Sequence, residues 1–479
     1  MSQIHDSLVV VVKRECPTCL LVVPVLKQLQ QSDRHIEIYC QDDDSFHDDI
    51  NLILDDRNLE QSFKHSIEHV PTLIREENGQ EAGRVFGWSR EEWELLTDIK
   101  GLGEGLPENQ PGCGSKSVEP GVQEKLQARY GAVPITSRKI ELSHWDDPVE
   151  QAFERGWTDG LPIVPPTDDR ILRMLSGTAR QPGEIVGIIP PNMQACTIEK
   201  VAVNAVMAGA KPEYMPVILA VVEAALKPEF ALHGVLCTLS FSGPVILVNG
   251  PVTKSIGMNW GGNCLGQGNR ANATIGRTLQ LIVRNVGGGI PGEIDRAVFG
   301  NPGKYTYCFA EDETDPDWQP LHVSRGCPPG SNAVTLHQGH GLTSFADNAA
   351  RSADELARSL SAQLVNELHP KKVQIANVIV AISPEHYRIF KEDGWGRKEI
   401  EEALHRYTTR PGKDLIRGAM GIKEGIDEKY AKEMMPKFWH DHGILLVRAG
   451  GPGGLLSAII GGWSGGRNRD EVRPVTHTF

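Results

Sequence analysis

Residues 7–20 read SLVVVVKRECPTCL. Four valines after Leu8 form a short β-rich run, and the stretch beginning at Leu20, LLVVPVLKQLQQ, has helical apolar spacing with Pro24 as its kink. A strand, a turn and a helix in that order put Cys16 at the helix N-terminus, where unpaired N–H groups and the dipole favour a thiolate. Pro17 suits the first helical position, because its missing N–H has no partner to lose there. Lys13 and Arg14 add positive potential. Cys16 and Cys19 therefore read as a working dithiol. The other use of such a pair, half of a zinc site, needs a second Cys-x-x-Cys or a Cys/His knuckle nearby, and none follows.

Working outward, HIEIYC (35–40) is a second strand and a polar helical stretch runs to Phe63. PTLIRE (71–76) and GRVFGW (83–88) pair as a hairpin, and SREEWELLTDI (89–99) is a helix with Ser89 as N-cap and Glu92 at the capping-box position. The predicted order over residues 1–100 is β-α-β-α-β-β-α, an α/β fold. This portion resembles the thioredoxin and glutaredoxin superfamily on Cys16-Pro17-Thr18-Cys19, on Val70-Pro71-Thr72 and on the closing GRVFGWSREEWELL segment. The resemblance implies a cis proline at Pro71 that lies against the dithiol and shapes the groove for a substrate thiol or disulfide. It also implies that Cys16 attacks and Cys19 resolves. Glu15 stands where thioredoxins carry Trp, and Pro-Thr replaces Gly-Pro between the cysteines, which shifts the expectation from a general disulfide reductase to one serving a dedicated partner.

Residues 101–136 open with GLGEGLPENQPGCGSKSVEP and show no apolar periodicity, so they read as a Gly/Pro-rich linker to a larger domain at 137–479. Cys113 lies in it. Flanking glycines and Lys116 suit a reactive thiol, while an incidental exposed cysteine is the alternative. Cys113-Gly114-Ser115 also resembles the Sec/Cys-Gly-Ser-Cys motif of a bacterial selenoprotein family, with Lys116 in place of the final cysteine. A short flexible tether raises effective concentration to about millimolar, so the rest of the chain is the natural client of the dithiol.

In the larger region TIEKVAVNAVMAG (197–209) and MPVILAVVEAAL (215–226) read as apolar helices, and PVILVNGP (244–251), VQIANVIVAIS (373–383) and GILLVRAGG (443–451) as strands of a mixed sheet. The stretch GGNCLGQGNRANATIGR (261–277) runs from glycines directly into a helix. Exposed backbone N–H groups there, with Cys264, Asn269, Arg270, Asn272, Arg277 and Lys304, are candidates to hold a carboxylate or phosphate; a tight structural loop with Arg270 ion-paired is the alternative. The stretch is neither a P-loop nor a dinucleotide fingerprint. KYTYCFAEDE (304–313) alternates like a strand and then turns acidic, which offers Cys308 as a nucleophile beside Glu311, with His322 following; an inert buried cysteine fits the same pattern. His337 and His340, and His440 and His442, with Glu311, Glu313 and Cys327, supply material for a metal site at spacings that are not diagnostic. Glu199, Lys200 and Asn204 matter only if they face a cleft. GWTDGLPIVPPT (156–167) and GGPGGLLSAIIGGWSGG (450–466) suit lids or plain turns.

At 479 residues the chain exceeds what one core serves, and 40% hydrophobic with 23% charged residues is ordinary for a folded protein. A net charge of −13 without a polybasic run speaks against nucleic acid, and no apolar run is long enough for a membrane span. The N-terminus lacks the charged region and cleavage site of a signal peptide. Nine scattered cysteines fit a reducing cytoplasm better than a secreted disulfide framework. The leading expectation is a thiol-dependent oxidoreductase without a cofactor. In it, Cys113 or Cys308 attacks a small, anionic, electrophilic substrate, Cys16 and Cys19 clear the adduct, and an external thiol or dithiol restores the pair. A metal-dependent lyase or hydrolase using the histidine pairs, and a redox-regulated binding protein, are the alternatives. The apolar pair at 197–226 adds self-association as a homo-oligomer to the expectations.

Overall fold

The computed structural model describes residues 6–131, 134–463 and 472–479. Residues 1–5, two residues of the expected linker (132–133), and 464–466 of the glycine-rich stretch 450–466 lie outside that description. The chain is α/β, as its patterning implies, and forms two compact units. One comprises Met1–Pro134 with Asp168–Arg173, the other Ile135–Thr167 with Met174–Phe479.

In the first unit β1 (Asp6–Val12) leads through Cys16 into α1 (Pro17–Leu21) and α2 (Val23–Gln30). Then follow β2 (His35–Cys40), β3 (Ile53–Asp55), α3 (Glu60–Lys64), the hairpin β4 (Thr72–Glu77) and β5 (Gln80–Phe86), and α4 (Arg90–Thr97). Sheet order is β3-β2-β1-β4-β5, with β1, β2 and β3 parallel and β4 antiparallel to both neighbours. Strand β1 is central and Leu8 to Val12 are all buried, which explains a continuous apolar run instead of alternation. Pro24 cannot donate a helical hydrogen bond, so the helical stretch breaks at Val22 and restarts with Pro24 in the first turn of α2. Ser89 caps α4 by accepting from the Glu92 N–H at 3.5 Å. Ile53–Asp55 adds a strand in what patterning read as a polar helical stretch; only its last turn, α3, is helical.

The segment expected to be a linker, 101–136, belongs through Pro134 to the first unit and carries a helix at Gln123–Tyr130. Leu102 is fully buried in its core. Trp88 Nε1 donates to the Pro107 carbonyl at 2.7 Å, Arg90 holds the Gly103 and Leu106 carbonyls, and Ser115 N–H donates to Glu68 O at 2.9 Å. Glycine and proline here mark a sequence of tight turns laid over the sheet, because each turn hands its polar backbone groups to the body beneath.

The second unit contains α5 (Ile198–Ala208), α6 (Met215–Ala225), β6 (Gly243–Asn249), α7 (Arg270–Asn285), β7 (Cys308–Ala310), β8 (Ala333–Ala346) and α8 (Ala353–Leu364). It continues with β9 (Val378–Ile382), α9 (Pro384–Glu392), α10 (Arg397–Thr408), β10 (Ile444–Arg448), β11 (Leu456–Gly462) and β12 (Val475–Thr478). Sheet order is β7-β6-β8-β11-β9-β10, with β12 paired to β8; β6–β7 and β9–β10 are parallel and the other pairs antiparallel. One core cluster packs α8, α9 and α10 on β9, β10 and β11. Helices α5 and α6, the apolar pair behind the self-association expectation, bury most of their residues inside this unit.

Candidate functional site

The sequence-expected dithiol sits where β1 meets α1. Cys16 is the N-cap residue, extended at φ −94, and its sulfur accepts the Cys19 backbone N–H at 3.4 Å. Lys13 N–H donates to the Cys19 sulfur at 3.4 Å. The Val70–Pro71 peptide is cis, and the Val70 carbonyl oxygen lies 3.5 Å from Cys16 Sγ. Cys16 and Cys19 are both 0% exposed, whereas Cys113 is only half-buried.

Cys113 arrives through the polypeptide expected to be a tether. Cys113 and Gly114 form a short antiparallel ladder with Val70 and His69, in the register Val70 with Cys113 and His69 with Gly114. The ladder brings Cys113 close enough to Cys16 for each thiol to shift the other. The Cys16 thiol is lowered to about 5, first by the hydrogen bond from the Cys19 thiol; burial opposes the shift, and the Cys113 thiol and the N–H groups of Cys19 and Thr18 assist it. Burial and then the neighbouring Cys16 push Cys19 up, so Cys19 stays a thiol at neutral pH. Cys113 is also raised, chiefly because its thiol is engaged with the Cys16 sulfur. The shifts favour ionisation of Cys16 over that of Cys19 and Cys113.

Residues that the sequence reading did not select hold this arrangement. Thr18, inside the Cys-x-x-Cys, donates its hydroxyl to Pro111 O at 2.7 Å, and Lys13 Nζ donates to Gly114 O at 2.9 Å. Gln41 Nε2 donates to Ser115 Oγ at 2.7 Å, and its Oε1 accepts the Lys116 N–H at 3.0 Å. Ser115 is 1% exposed, so the Cys-Gly-Ser run had signalled a buried anchor as well as a thiol. Lys116, expected to activate Cys113, contributes its backbone N–H to this network, and the side-chain cation at the strap is Lys13.

The candidates in the second unit are placed differently. Cys308 is 6% exposed on β7, and burial alone pushes its thiol up. It therefore fits the inert core cysteine of the two sequence readings. Glu311, 1% exposed, is an acceptor hub: it receives Asn249 Nδ2 at 2.6 Å, Leu321 N–H at 2.7 Å, Trp318 Nε1 at 2.8 Å and Arg397 at 3.2 Å. Those bonds make it a packing carboxylate rather than a free acid.

The Gly261 to Arg277 donors are likewise committed. Asn269 caps α7 through the Asn272 N–H, Asn272 Nδ2 bonds Asn259 O and Cys264 O, and Arg270 donates to Gly209 O at 2.8 Å. Arg277 grips Asp159 with two 2.8 Å bonds and reaches Pro162 O at 2.9 Å, while Lys304 is paired with Asp295. Cys264 is buried and pushed up to about 11 by desolvation. Arg277 thus holds GWTDGLPI against α7, while Asn269, Arg270, Asn272 and Lys304 are engaged with other neighbours within the fold.

Glu199 accepts from Thr136 and Ser137, and Asn204 donates to Lys200 O and receives the Asn285 amide. His340 Nε2 lies 2.8 Å from Ser240 Oγ, and His440 stacks on His405 with ring centroids 5.0 Å apart. Among the described residues no three His, Cys, Asp or Glu side chains converge to hold a metal ion. No helix among them is long and apolar enough to cross a membrane.

Comparison with family models, with curated proteins and with solved structures found no match to this chain.

Proposed function

We propose that this chain is a thiol–disulfide oxidoreductase whose first unit is a thioredoxin-like redox domain and whose dithiol serves Cys113. One observation carries the reading: Cys113 pairs with Val70, whose carbonyl oxygen is 3.5 Å from the Cys16 sulfur, while the Cys19 N–H donates to that same sulfur at 3.4 Å. The strand order of the first unit and the contact between Val70 and Cys16 support it. Of the two relay cysteines expected from the sequence, Cys308 is buried and raised, which leaves Cys113.

In the proposed cycle Cys113 attacks the sulfur or oxygen of a two-electron oxidant, whose leaving group departs with the electron pair, and becomes a mixed disulfide or a sulfenic acid. The Cys16 thiolate attacks that sulfur and expels the substrate-derived group, giving a Cys16–Cys113 disulfide. Cys19, losing its proton as it attacks, displaces Cys113 from Cys16 and closes the Cys16–Cys19 disulfide. An external dithiol supplies the two electrons that reopen it.

Replacing Cys19 with serine stops the cycle one step short. Full-length Cys19→Ser, isolated from cells under acid quench and mapped by mass spectrometry, is expected to carry Cys16–Cys113. Free Cys16 and Cys113 after exposure to oxidants would refute the relay.

A further inference from the structure

The Cys113–Gly114 strand lies along the backbone edge of His69 and Val70, and Val70 O is 3.5 Å from the Cys16 sulfur. An extended peptide that adds to a strand edge binds through those same main-chain groups. We infer that residues 111–116 are a built-in substrate strand, which occupies the edge an extended protein substrate would need and restricts outside substrates to small two-electron oxidants, low-molecular-weight disulfides or hydroperoxides, reacting at Cys113. This rests on the thiol relay proposed above and adds its substrate class.

Accessibility and anchoring carry the inference. The two cysteines of the dithiol are 0% exposed, and of the three cysteines the half-buried one is Cys113, on the strap. Thr18 and Lys13 tie the strap at Pro111 and Gly114, and Glu68 and Gln41 tie it at Ser115. Gly112 fits where a Cβ would stand 2.8 Å from Val70 O and 3.3 Å from Gly87. A protein disulfide can reach Cys16 only after these bonds open, whereas a small oxidant reaches Cys113 with all of them closed.

The chemistry balances. With a small disulfide RSSR, Cys113 attacks one sulfur as its proton passes to the Cys16 thiolate, and RS⁻ leaves. Cys16, whose value of about 5 returns it to thiolate at neutral pH, attacks the Cys113 sulfur and expels the second RS⁻. Cys19 then resolves Cys16. The protons of Cys113 and Cys19 end on two RSH, and Cys113, which leaves Cys16 as a thiolate, takes a proton from solvent. With a hydroperoxide the first step leaves Cys113 sulfenic acid and an alcohol, and the second releases water. In both cases the protein loses two electrons, which an external dithiol restores.

The experiment uses reduced full-length protein with oxidised glutathione, hydrogen peroxide and insulin as probes, and iodoacetamide mapping of each thiol. Both small oxidants are expected to drive Cys19→Ser to the Cys16–Cys113 disulfide. In Cys16→Ser, where the adduct on Cys113 persists, glutathionylation or sulfenic acid distinguishes the two sources. Insulin should not trap on Cys16 of Cys19→Ser. In the native wild type Cys113 should alkylate faster than Cys16 despite the lower pKa of Cys16. Gly112→Val should lift the strap and speed Cys16 alkylation by about tenfold, as expected where reaction requires local opening. Insulin trapped on Cys16 with the strap intact, or Cys16 alkylating faster than Cys113 in the wild type, would overturn the built-in strand while leaving the relay standing. Failure of every oxidant to form Cys16–Cys113 would remove both.

Discussion

Replacing Cys19 with alanine removes the thiol whose hydrogen bond is the largest influence holding Cys16 at about 5. A hydrogen bond to an ionised group contributes about 1.5–3 kcal/mol, and one pH unit of midpoint corresponds to about 1.36 kcal/mol, so the Cys16 midpoint should rise by about 1–2 pH units. Cys113 and the N–H groups of residues 18 and 19 remain, so the midpoint stays below the ordinary thiol value of 9.0. The assay is the ultraviolet absorbance of the thiolate in reduced full-length protein, with the matching Cys16→Ser trace subtracted. A wild-type step near pH 5 that moves to about 6–7 in Cys19→Ala is the expected result. A wild-type step at the ordinary thiol value, or one that does not move, would refute the reasoning. The linked stability has a definite sign. A folded-state value below the unfolded one stabilises the reduced protein fully above about pH 9, and this contribution is lost as pH falls towards 5. Cys16→Ser should therefore flatten the rise in urea midpoint between those limits.

Ser115→Ala removes the buried acceptor of the Ser117 N–H and one of the two that the Gln41 amide has, the other being Ser62, at a cost of about 1–3 kcal/mol in urea unfolding. It should also speed alkylation of Cys16, and an unchanged rate would show that the strap is anchored elsewhere. Glu311→Ala takes from buried Trp318 and Leu321 N–H their acceptor and from Arg397 one of its two carboxylates, the other being Glu401, and should destabilise the second unit by about 1–3 kcal/mol, with the Cys16 titration unmoved. Gly276→Ala would set a Cβ 2.4 Å from Thr306 Oγ1 and 3.1 Å from Cys308 Cβ, so about 1–3 kcal/mol of overpacking is expected in the same assay. Cys308→Ala should leave formation of the Cys16–Cys113 disulfide intact, whereas its abolition would return Cys308 to the relay.

Local rules made much of the first unit legible. The valine run implied a strand, Pro24 marked the helix kink, and Ser89 marked the start of α4, because each is decided by groups a few residues apart. The same holds for Cys16 at the helix N-terminus, since capping geometry follows from the order of strand, turn and helix. Composition at 101–118 misled, because glycine and proline signal turns without saying whether the turns are free or laid on a sheet. Only the tertiary contacts of Trp88, Gln41 and Glu68 decide that. In the second unit the residue types of Arg277, Lys304 and Glu311 announced charge, but whether charge meets a ligand or a neighbour depends on partners such as Asp159, Asp295 and Arg397, which lie outside any local pattern. The sequence by itself determined the dithiol and its strand-to-helix setting. The tertiary structure decided what that dithiol faces, because the approach of Cys113 to Cys16 depends on pairing two segments more than forty residues apart.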